Sequence, residues 1–534
     1  MQLNRRTFLK QVGVGTAGAG LVLFVPACRT TPQTASAGKL PRSSPEAQGV
    51  SSAGILAFLD AVQHSKHELH SFMFARHGQV IAEGWWSPYG PQFNHTLYSL
   101  SKSFTSTAVG FAVSEGKLRV DDKVVSFFPK DLPENVSDNL AALRIKDLLT
   151  MSVGNAPEPT TSMFEQQNWV RAFLAWPIPN PQGTQFMYNS AATYMLSAIV
   201  QQVTGQKILD YLQPRLFEPL GIHGETWETC PRGINVGGWG LSIQTEGLAK
   251  FGQLYLQKGA WHGRQLLPAQ WIEEATTFKI QQPLPAKSSR PNDQNDWLQG
   301  YCYQFWRCRH HAFRGDGAFG QYMIVMPEQD AVVAITAETG DMQSELDLVW
   351  DHLLPAMKEQ PLPRDRESEA QLQQTLASLT LVSPSGQPSS PTAASISEKT
   401  FNLGRNELGL LSASFAFSPQ SCRVTFKDDQ ADYPIECGIE RWRRGETALP
   451  GTPPRLISGG APKPGTRSKV AASGTWVDQT TFQMMLRYYE TPHHDTVTCR
   501  FDGGAVQISF MSSIAQMSPT PKDKRPVLRG SMQA

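Results

Sequence analysis

The chain has 534 residues, a net charge of +1 and 40% hydrophobic residues. That hydrophobic share is ample for a large core, the length suggests more than one domain, and the near-neutral charge gives no basic face for nucleic acid. Apart from Cys28, the cysteines are scattered singly, with only Cys302 and Cys308 close together, so neither a dense disulfide framework nor zinc-type pairing is visible.

Asn4-Arg-Arg-Thr-Phe-Leu-Lys10 precedes an apolar, Gly/Ala-rich stretch that ends near Val25. This leader resembles a twin-arginine export signal, and it is too short and Gly-rich for a convincing membrane span. Val25-Pro-Ala-Cys28 resembles a lipobox. Residues 1–28 are therefore expected to be a signal, with Cys28 lipidated as a membrane anchor in the periplasm or cell envelope, and residues 29–44 a leader linker. The alternative is a soluble periplasmic protein cut after Ala35-Ser-Ala37.

Residues 45–358 alternate helical and strand signals. Ile55, Leu56, Phe58, Leu59 and Val62 mark a helix, and Ser71–Ala75 and Gln79–Ala82 flank a His77-Gly78 hairpin turn. Ser99-Leu100-Ser101-Lys102 follows. Ser and Lys three residues apart at a helix start share one face of the first turn, as a lysine-activated serine nucleophile requires. Phe104, Ala108, Phe111 and Ala112 predict an amphipathic helix running to about Gly116, whose positive end disfavours a charged Lys102. Two other S-x-x-K matches start at Ser36 and Ser114, but neither sits on a helix N-terminus.

Tyr188-Asn189-Ser190 lies just before an apolar helix over Thr193–Thr204, which Gly205 stops. A phenol near a cation can shuttle a proton to a leaving group, and a tyrosine packed at a helix entry reads equally well. Lys287–Asp296 is a polar loop, at the cleft or on the surface. Gly315-Asp-Gly-Ala-Phe-Gly-Gln321 then opens the strand Tyr322–Met326, which turns at Pro327 into Ala331–Thr336. A backbone N–H there, with that of Ser99, could form an oxyanion hole, and a plain Gly-rich turn is the other reading. Asp341–Met357 predicts a terminal helix. Strands near both ends suggest one antiparallel sheet with a helical region inserted.

Residues 359–397 are expected to be a linker, on the Ser, Pro and Thr content of Thr380–Ser397. Residues 398–534 then alternate as half-buried strands: Phe482, Met484, Leu486 and Tyr488, then Val497, Cys499 and Phe501, then Val506, Ile508 and Phe510. A C-terminal all-β domain, barrel or sandwich, is expected.

S-x-x-K near the front, the Tyr188 motif and the late Gly-rich strand, in that order, resemble the serine β-lactamase-related family. Its nearest branch holds class C β-lactamases, penicillin-binding D-Ala-D-Ala peptidases and esterases. Leu143–Gly154 and Gly237-Gly-Trp-Gly-Leu-Ser242 add to the resemblance, which covers about residues 45–358. It implies an α/β (α+β) fold, an antiparallel sheet with flanking and inserted helices. It also implies Ser99 as nucleophile, Lys102 as general base and Tyr188 as proton shuttle, with Ser190, Arg314, Asp316, Gly317 and Ala318 around the substrate and oxyanion. Where the family's β-lactamases carry Asn and Lys-Thr-Gly, this chain has Ser190 and Phe313-Arg314-Gly315. Esters, short amides or D-amino-acid peptides therefore fit better than β-lactams, with Arg314 the candidate charge for a carboxylate.

The expectation is an exported serine hydrolase with no cofactor, acting on a small molecule or short peptide. The alternative is an envelope lipoprotein that binds such ligands with little turnover. His310-His311 and His493-His494-Asp495 carry metal-ligand residue types, but adjacent strand residues point to opposite faces.

Overall fold

The computed structural model describes residues 38–285, 290–457 and 466–533; the leader, Cys28 and Ser36 lie outside them. One sheet combines strands from both ends of the first domain. Its strands are β1 (Glu68–Arg76), β2 (Gln79–Trp85), β3 (Trp306–Arg307), β4 (Phe313–Gly317), β5 (Gln321–Met326) and β6 (Ala331–Glu338). Their order is β2-β1-β6-β5-β4-β3, and every pairing is antiparallel.

Side chains alternate across this sheet, so each strand feeds two cores. Phe72, Phe74, Ile324, Val333 and Ile335 pack on one face with Phe58 of helix α1 (Ser52–Gln63) and with Leu346 and Trp350. Met73, Ala75, Met323, Val325, Val332 and Ala334 face the other way, into the largest core. That core also holds helices α2 (Ser101–Ser114), α3 (Ser190–Thr204) and α4 (Thr245–Leu256). Gly205, at φ 71, ends α3 as its spacing predicts. The terminal helix is broken instead into Met342–Leu348, a wider turn over Val349–Leu353 and Leu354–Ala356, because Pro355 has no N–H to continue the ladder.

The stretch 359–397 is more than a linker. Helix α5 (Arg366–Ala377) starts where Asp365 accepts the Ser368 N–H, and it brings Leu372 into the α1-side core. Leu376 and Leu379 lie so close to β2 that a Cβ on Gly84 would sit 2.6 Å from Leu379 Cδ1. The apolar spacing of these leucines outweighs the Ser/Pro composition around them.

The C-terminal part closes into a barrel. Its strands are β7 (Lys399–Leu403), β8 (Ser412–Ser418), β9 (Ser421–Lys427), β10 (Asp432–Ile439), β11 (Arg443–Thr447), β12 (Ser468–Trp476), β13 (Thr481–Arg487), β14 (His494–Asp502), β15 (Ala505–Ser512) and β16 (Leu528–Met532). The order is β10-β9-β8-β7-β16-β15-β14-β13-β12-β11. A parallel pairing of β10 with β12, Cys437 opposite Ala472, closes the ring. Phe482, Met484, Leu486, Val497, Cys499 and Phe501 fill its interior, as their alternation predicts. Among the described residues, no helix is long and apolar enough to cross a membrane.

Candidate active site

Ser99 sits in a 3-10 turn, Tyr98–Leu100, that runs directly into α2. Lys102 is one turn on, and its Nζ lies 2.9 Å from Ser99 Oγ. α2 is not amphipathic: every residue from Ser101 to Ala112 is buried. Several of its hydroxyls bond to neighbouring elements. Ser103 Oγ donates to the Gln304 carbonyl at 2.9 Å, Thr105 Oγ1 to the Gly237 carbonyl at 2.9 Å, and Ser101 Oγ accepts the Leu241 N–H at 3.1 Å. Such bonds fix the helix in rotation and height, and with it the Ser99/Lys102 face.

Lys102 is 2% exposed. Its Nζ also reaches Ser190 Oγ at 3.0 Å and the Gly238 carbonyl at 2.7 Å. Burial pushes the amine down to about 7, against the charges of Asp316 and Glu158, which favour the ammonium. Gly237 and Gly238 make the third contact possible. A Cβ on Gly238 would lie 2.9 Å from the Ser190 carbonyl, and one on Gly237 would lie 2.8 Å from Ser197 Cβ. Only a bare backbone threads between α2 and α3 here.

Asn189 explains the order Tyr-Asn-Ser. Its extended backbone and side chain cap α3, accepting the Ala192 N–H at 3.0 Å, while Nδ2 donates to Asn155 Oδ1 at 3.0 Å. The cap fixes its two neighbours. Ser190 Oγ meets Lys102, and the Tyr188 ring stacks on Trp306 at 5.7 Å, with Lys102 Nζ 4.8 Å from its centre. Ser99 is near enough to act to lower the Tyr188 phenol. Burial, reinforced by the Asp316 charge, pushes the phenol well above its ordinary range, so it stays protonated.

β4 lies against the turn that bears Ser99. A Cβ on Gly317 would be 2.0 Å from the Leu97 carbonyl, and one on Gly315 would be 2.7 Å from Ser103 Oγ. Gly317 ends β4, and Ala318 follows in a turn where Gln321 Nε2 donates to its carbonyl at 3.0 Å. Arg314 corrects the sequence reading. Its side chain is fully buried and already bound: Nε donates to Asp316 Oδ2 at 2.9 Å, one terminal nitrogen to the Asp296 carbonyl at 2.9 Å, and Trp297 covers it at 4.4 Å. Arg314 and Asp316, two residues apart, share the face of β4 that packs with Ile324 and Tyr322. Burial raises the Asp316 carboxyl, and Arg314 opposes that rise.

Tyr98 and Trp239 line a small cleft of about 60 Å³ beside the site, together with Glu228, Arg455, Pro453 and His493. Tyr322, on the next strand, β5, is fully buried and donates to the Met342 carbonyl at 2.8 Å. A larger cleft of about 670 Å³ runs along β2 and α5 and contains none of these residues. Ser114 Oγ only caps its own helix, donating to the Phe111 carbonyl at 2.8 Å. His493 and His494 both bond Glu338, since they stand where a hairpin enters β14 rather than within a regular strand. Glu68, Glu338 and His494 bring ligand-type atoms within 4.8 Å of one another, and the buried Arg487 guanidinium already pairs Glu68. Sequence reasoning missed Gln304, whose side chain accepts from Thr193 Oγ1 at 2.6 Å and donates to the Leu149 carbonyl at 2.9 Å, tying α3 to the core behind Ser99. A lone Gln carries no signal for such a role.

The arrangement joins a hydroxyl, a buried amine shifted toward neutrality and a protonated phenol, the parts of a base-activated acyl transfer. The beta-lactamase family profile matches residues 70–355, more than half of the chain. The chain is 24% identical over 284 residues to 6-aminohexanoate-dimer hydrolase from Paenarthrobacter ureafaciens, covering 49% of this chain and 71% of that protein. It is 25% identical over 154 residues to N-acetylmuramyl-L-alanine amidase from Bacillus subtilis, covering 26% of this chain and 35% of that protein. Among solved structures, the octameric penicillin-binding protein homologue from Pyrococcus abyssi is similar over 89% of this chain and 99% of its own, at 14% identity and a TM-score of 0.44. The chain belongs to the beta-lactamase family and is a serine hydrolase of that family.

Proposed function

We propose that the protein hydrolyses esters, short amides or D-amino-acid peptides through an acyl-enzyme on Ser99. Ser99 Oγ attacks the substrate carbonyl carbon as its proton passes to Lys102 Nζ. The oxyanion is met by the Ser99 N–H and a backbone N–H at the end of β4. Tyr188 donates its proton to the leaving oxygen or nitrogen and regains one from Lys102. Water then attacks the ester on Ser99 along the same path, releasing the acid and restoring the hydroxyl.

The observation that carries this reading is the setting of Lys102 Nζ, within 3.0 Å of Ser99 Oγ, Ser190 Oγ and the Gly238 carbonyl and at a pKa of about 7. An amine so placed is partly neutral at physiological pH. The engagement of Arg314 with Asp316 argues against a β-lactam carboxylate docking there. An amidase among the similar proteins supports keeping short amides in the substrate range. Export by the twin-arginine route, with an anchor at Cys28, is part of the same proposal and rests on the leader's residues.

A fluorophosphonate probe tests the reading. Wild type should be labelled and Ser99→Ala should not. Equal labelling of both, or none of wild type, would favour an envelope protein that binds without turnover. Comparing p-nitrophenyl acetate with nitrocefin then ranks ester against β-lactam chemistry, and faster nitrocefin turnover would overturn the substrate assignment.

A further inference from the structure

The turn between β13 and β14 leaves the barrel and lies against the segment leading into Ser99. The Glu490 carbonyl accepts the Thr96 N–H at 3.0 Å, and the Thr491 carbonyl accepts Tyr89 Oη at 3.0 Å. The same turn buries His493, which is 1% exposed. Tyr98, immediately before Ser99, meets His493 Nε2 through its hydroxyl at 2.5 Å, and His493 Nδ1 lies 2.7 Å from Glu338 Oε1. His494 Nδ1 lies 3.0 Å from the other oxygen of Glu338.

Burial acts to raise the Glu338 carboxyl, but hydrogen bonds from His493 and His494 outweigh it and hold the group down to about 2. Glu338 is therefore a carboxylate that only accepts, so His493 donates to it from Nδ1 and meets the Tyr98 hydroxyl through Nε2. Phe319 stands edge-on to both rings, 5.5 Å from Tyr98 and 4.7 Å from His493. Phe319 directly follows Ala318, so one cluster touches both the Ser99 turn and the turn after β4.

Tyr98 needs such a clamp. Its φ of 48° is left-handed, a conformation that costs a bulky residue energy and persists only when the surroundings impose it. That backbone sets the direction in which Ser99 leaves the turn.

We propose that His493, carried by the C-terminal barrel, is a positioning residue for Ser99: through its hydrogen bond to the Tyr98 hydroxyl it holds the left-handed turn that aims Ser99 Oγ at Lys102. The proposal rests on the reading of Ser99 as nucleophile. It gives the barrel a part in the reaction, as the element that completes the nucleophile turn from outside the first domain.

The test measures fluorophosphonate labelling rates and p-nitrophenyl acetate kinetics in full-length variants. Tyr98→Phe is the deciding variant, because it keeps the ring and removes only the hydroxyl. It and His493→Ala should each slow Ser99 acylation roughly ten- to a hundredfold, with KM within about twofold of wild type. The double variant should be no slower than the slower single one, since both remove one interaction. His493→Gln, which keeps an acceptor, should recover most of the rate. Wild-type labelling of Tyr98→Phe, or losses that multiply in the double variant, would overturn the proposal. Ser99→Ala is the control: if it is still labelled, the nucleophile reading fails, whereas labelling confined to Ser99 with Tyr98→Phe unaffected refutes only the role of His493.

Discussion

The Gly238 carbonyl oxygen lies 2.7 Å from Lys102 Nζ, on an amine that also touches Ser99 Oγ at 2.9 Å. A carbonyl can only accept, so Gly238 always takes one Lys102 hydrogen. With Ser190 Oγ taking a second, the neutral amine has its lone pair left for the Ser99 hydroxyl proton. The Gly-Gly pair thus orients a base as well as allowing close packing.

The pH dependence follows from that amine. Lys102 is lowered from 10.5 to about 7, and acylation needs its neutral form. Acylation should therefore rise with pH through about 7 and level off above it. Lys102→Arg keeps a charge that cannot titrate in this range, so the limb should vanish and the rate fall at least about a hundredfold. Stopped-flow acylation between pH 5 and 9 checks both; an unchanged limb in Lys102→Arg would remove Lys102 as base.

Gly317 is predicted to tolerate no side chain. Its Cβ would stand 2.0 Å from the Leu97 carbonyl, so Gly317→Ala must push β4 off the Ser99 turn. A stability loss of about 1–3 kcal/mol is expected, with acylation nearly abolished. Gly445→Ala is the matched control, since nothing lies within 4 Å of its Cβ position. Thermal melts and labelling rates of the two variants separate local clash from a general cost of replacing glycine.

The contact of Ser99 with Lys102 was legible because its geometry is local: two residues three apart on one helical turn need no knowledge of the rest of the fold. Tyr188 was legible through its motif, and Asn189 shows why that motif is contiguous. The engagement of Arg314 was not, because period-two alternation says that Arg314 and Asp316 share a face but not that Asp296 and Trp297 close over it. Barrel closure depends on Cys437 meeting Ala472 in a parallel pairing with β11 between them in the chain, which no local pattern encodes. His493 was hidden for the same reason: its partners Tyr98 and Glu338 are 395 and 155 residues away in the chain.

Asp316 should matter for stability and for the base together. Asp316→Asn leaves the Arg314 guanidinium buried without its carboxylate, which costs about 3–5 kcal/mol. It also removes a charge that favours protonated Lys102, so the acylation limb should move to lower pH. Replacing both partners, Arg314→Met with Asp316→Leu, should recover much of the stability, because apolar pairs often substitute well for buried ions. Denaturant titrations and pH–rate profiles of these variants report the two effects separately. A limb that stays in place in Asp316→Asn would show that the Asp316 charge is not felt at Lys102.

Acid should weaken the contact between barrel and sheet through Glu338. The Glu338 carboxyl is lowered from 4.5 to about 2 by its two histidines. A carboxylate with a depressed folded pKa contributes stability that is complete above its unfolded value and is lost as pH falls toward the folded one. The window is therefore about pH 4.5 down to 2. Glu338→Gln cannot titrate, so its stability should be lower than wild type at pH 6, with the gap narrowing steadily as pH falls through that window. Urea midpoints measured from pH 6 to 2.5 give the comparison, and a gap that stays constant would mean that Glu338 does not titrate with unfolding. Such a result would also weaken the assignment of Nδ1 as the donor of His493, since a protonated Glu338 would not require it.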